Sequence, residues 1–363
     1  MKRNSWQSTK RALSAFVLLG VAAGCDSLLE VSNPTAITED NLQGDEQSLI
    51  FMARGIQGEV RREYIWMAAM GAAFTDEGIS GHGWQPWNAY DERVVPPENG
   101  AHAGFTYGLL QRARGTADAL LPRMRDALGT RASNHPQLAI ALVYTGYAYL
   151  LMADHLCSAP VVSMGRPVSA DSMYGVAARH LDEALRVSTA AGDGETANLA
   201  RVGLARAHLN RGQHAQAIQT ATAVPANFVA WLKYVPDASL SGWQMYNFLD
   251  WWAGDKAGEL DLAYETTFAL QDRRIPRRTT LETMSDGRRQ GFRPLQTSSY
   301  SGWRSDAAGE LFDEATAVRF ASGLEARFMI AEASLAGGTG GLTPTAIVTF
   351  INERRAVGGQ PNY

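Results

Sequence analysis

The chain has 363 residues, 45% of them apolar and 19% charged, which is enough to bury a large core and too apolar for a disordered polymer. Lys and Arg total 33 against 37 Asp and Glu, a net charge of -4, which makes a poor nucleic-acid binder, since phosphate affinity comes mainly from clustered Lys and Arg. With two cysteines and seven scattered histidines there is no zinc ribbon, no disulfide framework and no His-Glu-x-x-His, and no metal or cofactor is expected.

Residues 1–24 read as an export signal. Lys2, Arg3, Lys10 and Arg11 precede an apolar run from Ala12 to Ala23, far shorter than the roughly 20 residues a spanning helix needs. The run ends in Ala22-Ala23-Gly24-Cys25, which resembles a bacterial lipobox in which Cys25 becomes the acylated N-terminus; the other reading is an ordinary secretory peptide that carries a cysteine. Cleavage would leave 29 basic against 37 acidic residues, a net charge near -8. Cys157, left alone in an exported protein and flanked by Leu151, Met152 and Leu156, is expected to be a small buried hydrophobe.

Residues 25–44 form a polar anchor and leader, and residues 45–363 the main domain. Asp45 is placed to cap a helix whose Leu49, Ile50, Met52, Ala53 and Ile56 share one face. Residues 103–128 repeat the period with Leu109, Leu110, Ala113, Ala117, Leu120, Leu121 and Met124. Residues 137–156 are apolar all round, the mark of a helix buried between others, and Asp154 and His155 close it. Asp171 or Ser172 is the expected cap of the next helix, with Val176, Ala177, His180, Leu181, Ala184 and Leu185 inward. After Gly192-Asp193-Gly194, two short helices meet at Gly212, and small residues at Gly203, Ala205, Ala207, Ala217 and Ala221 predict their close approach. That pattern resembles a tetratricopeptide unit. A last pair falls at 323–336 and 344–355, with Thr343 as cap, Pro344 at the first helical position, and Ile347, Phe350 and Ile351 as the buried stripe.

The predicted fold is therefore mainly α, a tetratricopeptide-like helical-repeat scaffold (about 45–225 and 319–357) carrying a loop-rich, aromatic-rich ligand-binding subdomain. Two stretches interrupt the helices: 78–99, and the longer insert at about 228–304 with Trp231, Trp243, Tyr246, Trp251, Trp252, Tyr264, Tyr300 and Trp303 among Gly, Ser, Asp and Arg. Loops of that length in a compact body usually carry function.

These motifs, taken in order, resemble the SusD/RagB family of surface lipoproteins, which capture nutrients for a TonB-dependent outer-membrane transporter. The likeness rests on Cys25-Asp-Ser-Leu-Leu with its short leader, Thr75-Asp76-Glu77 after the first helix, and the Ala- and Tyr-rich 141–154 followed by Ser158-Ala-Pro160. It continues in Gln271-Asp272-Arg273-Arg274-Ile275, Ala331-Glu332-Ala333, and Ile351-Asn352-Glu-Arg-Arg355. It implies an outer-membrane, lipid-anchored protein facing the cell exterior, binding an oligosaccharide or similar nutrient, partnered by a SusC-like transporter, and not an enzyme. Family members continue past the last helix into an Arg- and Glu-rich segment, whereas this sequence ends at Tyr363. The resemblance thus leads us to expect a last helix pair with an uncovered apolar face.

Sugars present flat C–H faces on which an exposed aromatic can stack while polar neighbours bind the hydroxyls. Trp84, Trp87, Tyr90, Trp243, Trp251, Trp252 and Trp303 stand among such neighbours and are the candidate ligand-binding residues; packing the loops onto the body is the competing use of each ring. No catalytic residue is assigned. Asp76-Glu77 and the acids at 259, 261 and 265 read as solvated or structural, and no nucleophile elbow, phosphate loop or dinucleotide fingerprint occurs. The paired arginines at 273–274, 277–278 and 288–289 read as a solvated loop face, the other reading being contact with an anionic ligand or a partner loop. A second functional reading is an envelope helical-repeat scaffold that binds proteins and no small molecule; the aromatic loops argue for the first.

Overall fold

A computed structural model describes residues 45–74, 86, 89–90, 92–96, 98–234, 282–283, 289–290, 317–357 and 361–363. Helix α1 (Glu46–Phe74) starts where Asp45 Oδ1 accepts the Ser48 N–H at 2.7 Å, satisfying one of the amides a helix start leaves open. Its buried stripe runs Leu49, Met52, Ala53, Ile56, Val60, Glu63, Met67, Met70, three or four apart except for the adjacent Met52 and Ala53, with a carboxylic acid at one apolar position. A π-helical turn (His102–Tyr107) leads into α2 (Gly108–Leu128), which buries Leu109, Leu110, Ala113, Ala117, Leu121 and Met124 and ends at Gly129, φ 54°. Arg112 of α2 meets Glu59 of α1 at 2.9 Å.

Helix α3 (Pro136–His155) is long and apolar enough to cross a membrane, yet 15 of its 20 residues are buried against protein. It packs on α1, α2, α4 (Ala170–Ala190) and α5 (Gly194–Asn210), which is why it needs no polar face. Tight approach comes from glycine at two points: a Cβ on Gly203 of α5 would lie 3.0 Å from both Leu181 and Tyr147, and one on Gly146 of α3 would lie 2.8 Å from Leu181 Cδ2. Gly203 thus makes room for α3 and α4, while Ala217 and Ala221 bring in α6 (His214–Thr222). The α5–α6 closeness expected from the small residues is present, with Gly203 turned to the other side.

Three helix ends share one geometry. Gly192, Gly212 and Gly337 sit at φ 72°, 70° and 86°, and the following residue donates back to the carbonyl five earlier: Asp193 to Ser188 (2.9 Å), Gln213 to His208 (2.8 Å), Gly338 to Ala333 (2.8 Å). Only a residue tolerant of left-handed backbone can close a helix this way, and its recurrence gives the successive helix pairs their repeat-like turns. The last pair, α7 (Gly323–Leu335) and α8 (Pro344–Val357), joins α6 through Ala217, Ile218 and Ala333, and its own seam holds Ala331, Ile347 and Phe350.

The described strands are short and paired in twos: β1 (Ser158–Pro160) with β2 (Pro167–Ser169), β3 (Val229–Leu232) with β6 (Val318–Ser322), and β4 (Glu282–Thr283) with β5 (Arg289–Gln290), all antiparallel. The fold is mainly α, as the periodicity predicted.

Three expectations are corrected. Cys157 is exposed: α3 ends at His155, Leu156 (7% exposed) still faces inward, and the extended backbone then turns the next side chain out. Ser169, not Asp171 or Ser172, caps α4, its hydroxyl accepting from Ser172 N at 3.4 Å. Ile351 is 36% exposed, so the α8 stripe is Ile347 and Phe350 alone, while Thr343 does cap the helix, its hydroxyl accepting from Ala346 N at 3.2 Å.

Candidate functional site

The β3–β6 ladder joins the two ends of the insert. Its register sets Trp231 opposite Arg319, with a bulge between Ala230 and Trp231. Side chains alternate across a strand, and the two faces differ sharply here. Ala230, Leu232 and Phe320 point inward, at 7%, 1% and 2% exposure, whereas Trp231 is 48% exposed and Arg319 is also outside.

Phe320 anchors the inner face in a nest of tyrosines. Tyr64 meets it edge-on at 5.0 Å and 88°, Tyr144 stacks at 5.9 Å, and Tyr147 packs at 4.3 Å. Each hydroxyl needs a partner once desolvated: Tyr64 donates to the Arg319 carbonyl (3.1 Å) and Tyr147 to the Leu199 carbonyl (3.1 Å). Burial pushes both phenol pKa values up, well up for Tyr147, so both stay neutral donors.

Above this nest opens a cleft of about 370 Å³ lined by Tyr64, Arg206, Arg319, Phe320, Ser322, Leu324, Glu325 and Phe328. Ser322 begins α7 as its cap, accepting from Glu325 N at 3.1 Å, and this holds Glu325 in the first turn. Arg206 of α5 donates from Nε (3.1 Å) and from Nη2 to Glu325 Oε1. Desolvation lowers the Arg206 pKa, but Glu325, Tyr147 and Asp154 outweigh it and the net shift is upward, so the guanidinium is permanently charged and compensated. Arg319 differs. Its Cζ lies 5.7 Å from the Trp231 ring centroid, and among the described residues it meets no carboxylate. Phe328, 46% exposed, forms the far wall. The arrangement offers aromatic surface beside charged hydrogen-bond donors, in a space at the lower end of ligand pockets (roughly 300–1,000 Å³).

A second groove of about 390 Å³ lies among α2, α3, α4 and the β1–β2 hairpin, with Asp118, Arg125, Tyr149 and His180 on its walls. Those groups mostly satisfy one another: Arg125 chelates Glu183 (2.8 Å to Oε2), Asp118 pairs with Arg114 and accepts from Tyr149 (3.2 Å), and Tyr149 stacks on His180 at 5.7 Å. Among the described residues, no group of three or more His, Cys, Asp or Glu could hold a metal ion.

Of the residues singled out in the sequence, Tyr90 is described. It is 7% exposed, with its hydroxyl 2.6 Å from Thr106 Oγ1 and 3.3 Å from His102 Nδ1, so it packs against the π-helical turn and presents no open face. Cys25, Trp84, Trp87, Trp243, Trp251, Trp252 and Trp303 lie outside the described residues, as do Thr75-Asp76-Glu77, the acids at 259, 261 and 265, and the arginines at 273–278. Sequence reasoning counted Trp231 in the insert without selecting it, and it missed Tyr64, Arg206, Arg319, Glu325 and Phe328. Alternation in Val229-Ala-Trp-Leu232 could have placed Trp231 outward; nothing local pairs it with Arg319, 88 residues on by number.

No family model matches the sequence, and no curated protein sequence matches it either. Solved structures do. A SusD-like protein from Bacteroides fragilis superposes with a TM-score of 0.53 at 12% identity, over 90% of this chain and 81% of its own. A protein described as a laminarin-binding SusD-like protein gives 0.55 at 11% identity, over 88% and 85%. A SusD superfamily protein from Bacteroides thetaiotaomicron gives 0.51 at 12%, over 82% and 79%. The fold is that of the SusD-like proteins.

Proposed function

We propose that this chain of SusD-like fold is a surface lipoprotein, anchored through Cys25, that binds glycans or similar nutrients and delivers them to a TonB-dependent, SusC-like outer-membrane transporter. The observation that carries the reading is the SusD-like fold with an aromatic, guanidinium-bearing cleft where the insert joins the helical body. One of its structural neighbours is described as laminarin-binding, which makes a glycan the first ligand class to try. The reading is of a binding protein and not an enzyme: among the described residues lining the cleft the acid is Glu325, which is held by Arg206, and a glycosidase needs two carboxyl groups across its cleft.

Calorimetry of the full chain, purified in mild detergent, against a panel of oligosaccharides tests ligand capture, and chromatography of the same mixtures tests cleavage. Binding without product is expected; product formation would replace the binding role with a catalytic one. Cys25→Ala should release the protein from membranes, and purification from native membranes should recover a large barrel protein. Retention of the variant in the membrane removes the anchor, and recovery of soluble partners alone removes the transporter. The scaffold reading draws on one observation, the exposed Val348, Ile351 and Val357 of α8, and it becomes the better one if no oligosaccharide binds while a protein partner does.

A further inference from the structure

Arg319 differs from Arg206, the other arginine among the described residues that line the cleft. Arg112, Arg125, Arg186, Arg211 and Arg327 each meet a carboxylate of the fold, and inside the cleft Arg206 is neutralised by Glu325. Arg319 has its side chain exposed over Trp231 and no acid within ion-pair distance among the described residues, in a protein whose net charge is -4. Among the described residues that line it, the cleft therefore carries one positive charge with no acid beside it. Its position is fixed from below, because the Tyr64 hydroxyl bonds the Arg319 backbone carbonyl and the cross-strand register sets the residue against Trp231. A guanidinium over an indole has a face occupied while its N–H edges stay free, and those edges match a carboxylate two bonds at a time. Beside it the half-exposed Trp231 and Phe328 rings are stacking surfaces for sugar C–H faces.

We infer that this cleft takes an acidic glycan, one whose uronate carboxylate is clamped by Arg319 while its ring lies on Trp231. The inference rests on the glycan-binding reading and narrows its ligand to one class. The test is calorimetry on the full chain in mild detergent with three probes: the galacturonic acid tetramer, the same tetramer as its methyl ester, and a neutral glucose tetramer of laminarin type. The free acid should bind at least about tenfold more tightly than the ester. Its affinity should fall as salt rises from 50 to 300 mM, as expected when an exposed ion pair is screened. Arg319→Gln should cost the acid about tenfold and leave the ester unchanged, and Arg319→Lys should recover part of the loss, since charge returns without the fork. Both variants keep the backbone carbonyl that Tyr64 holds, and circular dichroism checks that they fold. Equal affinity for acid and ester, or an Arg319→Gln variant that binds the acid like the parent, overturns the inference. Tight binding of the neutral tetramer alone leaves glycan capture standing and removes the acidic ligand; failure of all three probes counts against both.

Discussion

Phe320→Ala is the substitution that most directly probes how the β3–β6 ladder divides its faces. Phe320 is 2% exposed, and three tyrosine rings lie within 6 Å of its centroid. Emptying a packed Phe site costs about 3–5 kcal/mol, through lost transfer free energy and the cavity left behind. Here the rigid tyrosine rings, two of them tethered through hydroxyl bonds to backbone carbonyls, cannot easily collapse into the hole, so about 4 kcal/mol is expected. Trp231→Ala on the other face removes a larger side chain that is already 48% exposed and should cost under about 1.5 kcal/mol. Urea unfolding followed by tryptophan fluorescence and circular dichroism measures both. With a slope near 3 kcal/mol per molar, the Phe320 variant should shift the midpoint down by about 1.3 M and the Trp231 variant by less than about 0.5 M. Ligand affinity should respond in the opposite order. Comparable stability losses, or a Phe320 loss below about 1 kcal/mol, would mean that the ladder does not present these faces.

Glu63, 0% exposed with neither carboxylate oxygen hydrogen-bonded, has its pKa raised well above 4.5 by burial and then by Glu59. The folded state therefore holds a proton that the unfolded chain releases above pH 4.5, which costs stability as pH rises from there; Glu63→Gln should be increasingly stabilising from pH 4.5 to 8, and a pH-independent gap would show that Glu63 is not neutral. Gly146→Ala gains helix propensity of about 1 kcal/mol but drives a methyl into Leu181, so a net loss of about 1–2 kcal/mol is expected. Leu181→Ala, costly alone, should then cost less in the Gly146→Ala background, and strict additivity in that cycle would count against the contact. Ser322→Ala removes the α7 cap and should lower stability by about 1 kcal/mol in the same urea assay, with no change counting against the 3.1 Å bond. Cys157 should react with a thiol reagent such as DTNB in the native protein, and Cys157→Ser should lower the signal by one thiol per chain; a Cys157 thiol that reacts only after unfolding returns it to the core.

Helical structure was legible because burial on one side leaves a period in the chain: the stripes of α1 and α2 and the all-round apolarity of α3 named their packing before any coordinate did. Caps were legible to within a few residues, as Asp45 and Thr343 show, while Ser169 lost out to Asp171 or Ser172 because it also ends the strand β2, which blurs the start. The orientation of Cys157 was not legible, since a helix end re-aims the next side chain and composition on either side is silent about that. The cleft was least accessible of all. Tyr64, Arg206, Arg319 and Glu325 come from four elements, and the place of Arg319 beside Trp231 depends on a ladder whose partners are remote in sequence. Aromatic abundance pointed to the insert; at its root the described residues place Trp231 with Arg319 laid over it.

The pairing of β3 with β6 has a consequence for how such a protein can change over evolutionary time. The ladder ties together the chain entering the insert at Leu232 and the chain leaving it at Val318, so the helical body receives both ends at one fixed doorway. Closing a loop costs entropy only as the logarithm of its length, about 0.6 kcal/mol per doubling, so even a tenfold longer or shorter excursion alters stability by about 2 kcal/mol. Whatever lies between the two strands can be rewritten, lengthened or exchanged with little disturbance to α5, α6 and α7. The scaffold can thus stay constant while the sequence between its two strands changes.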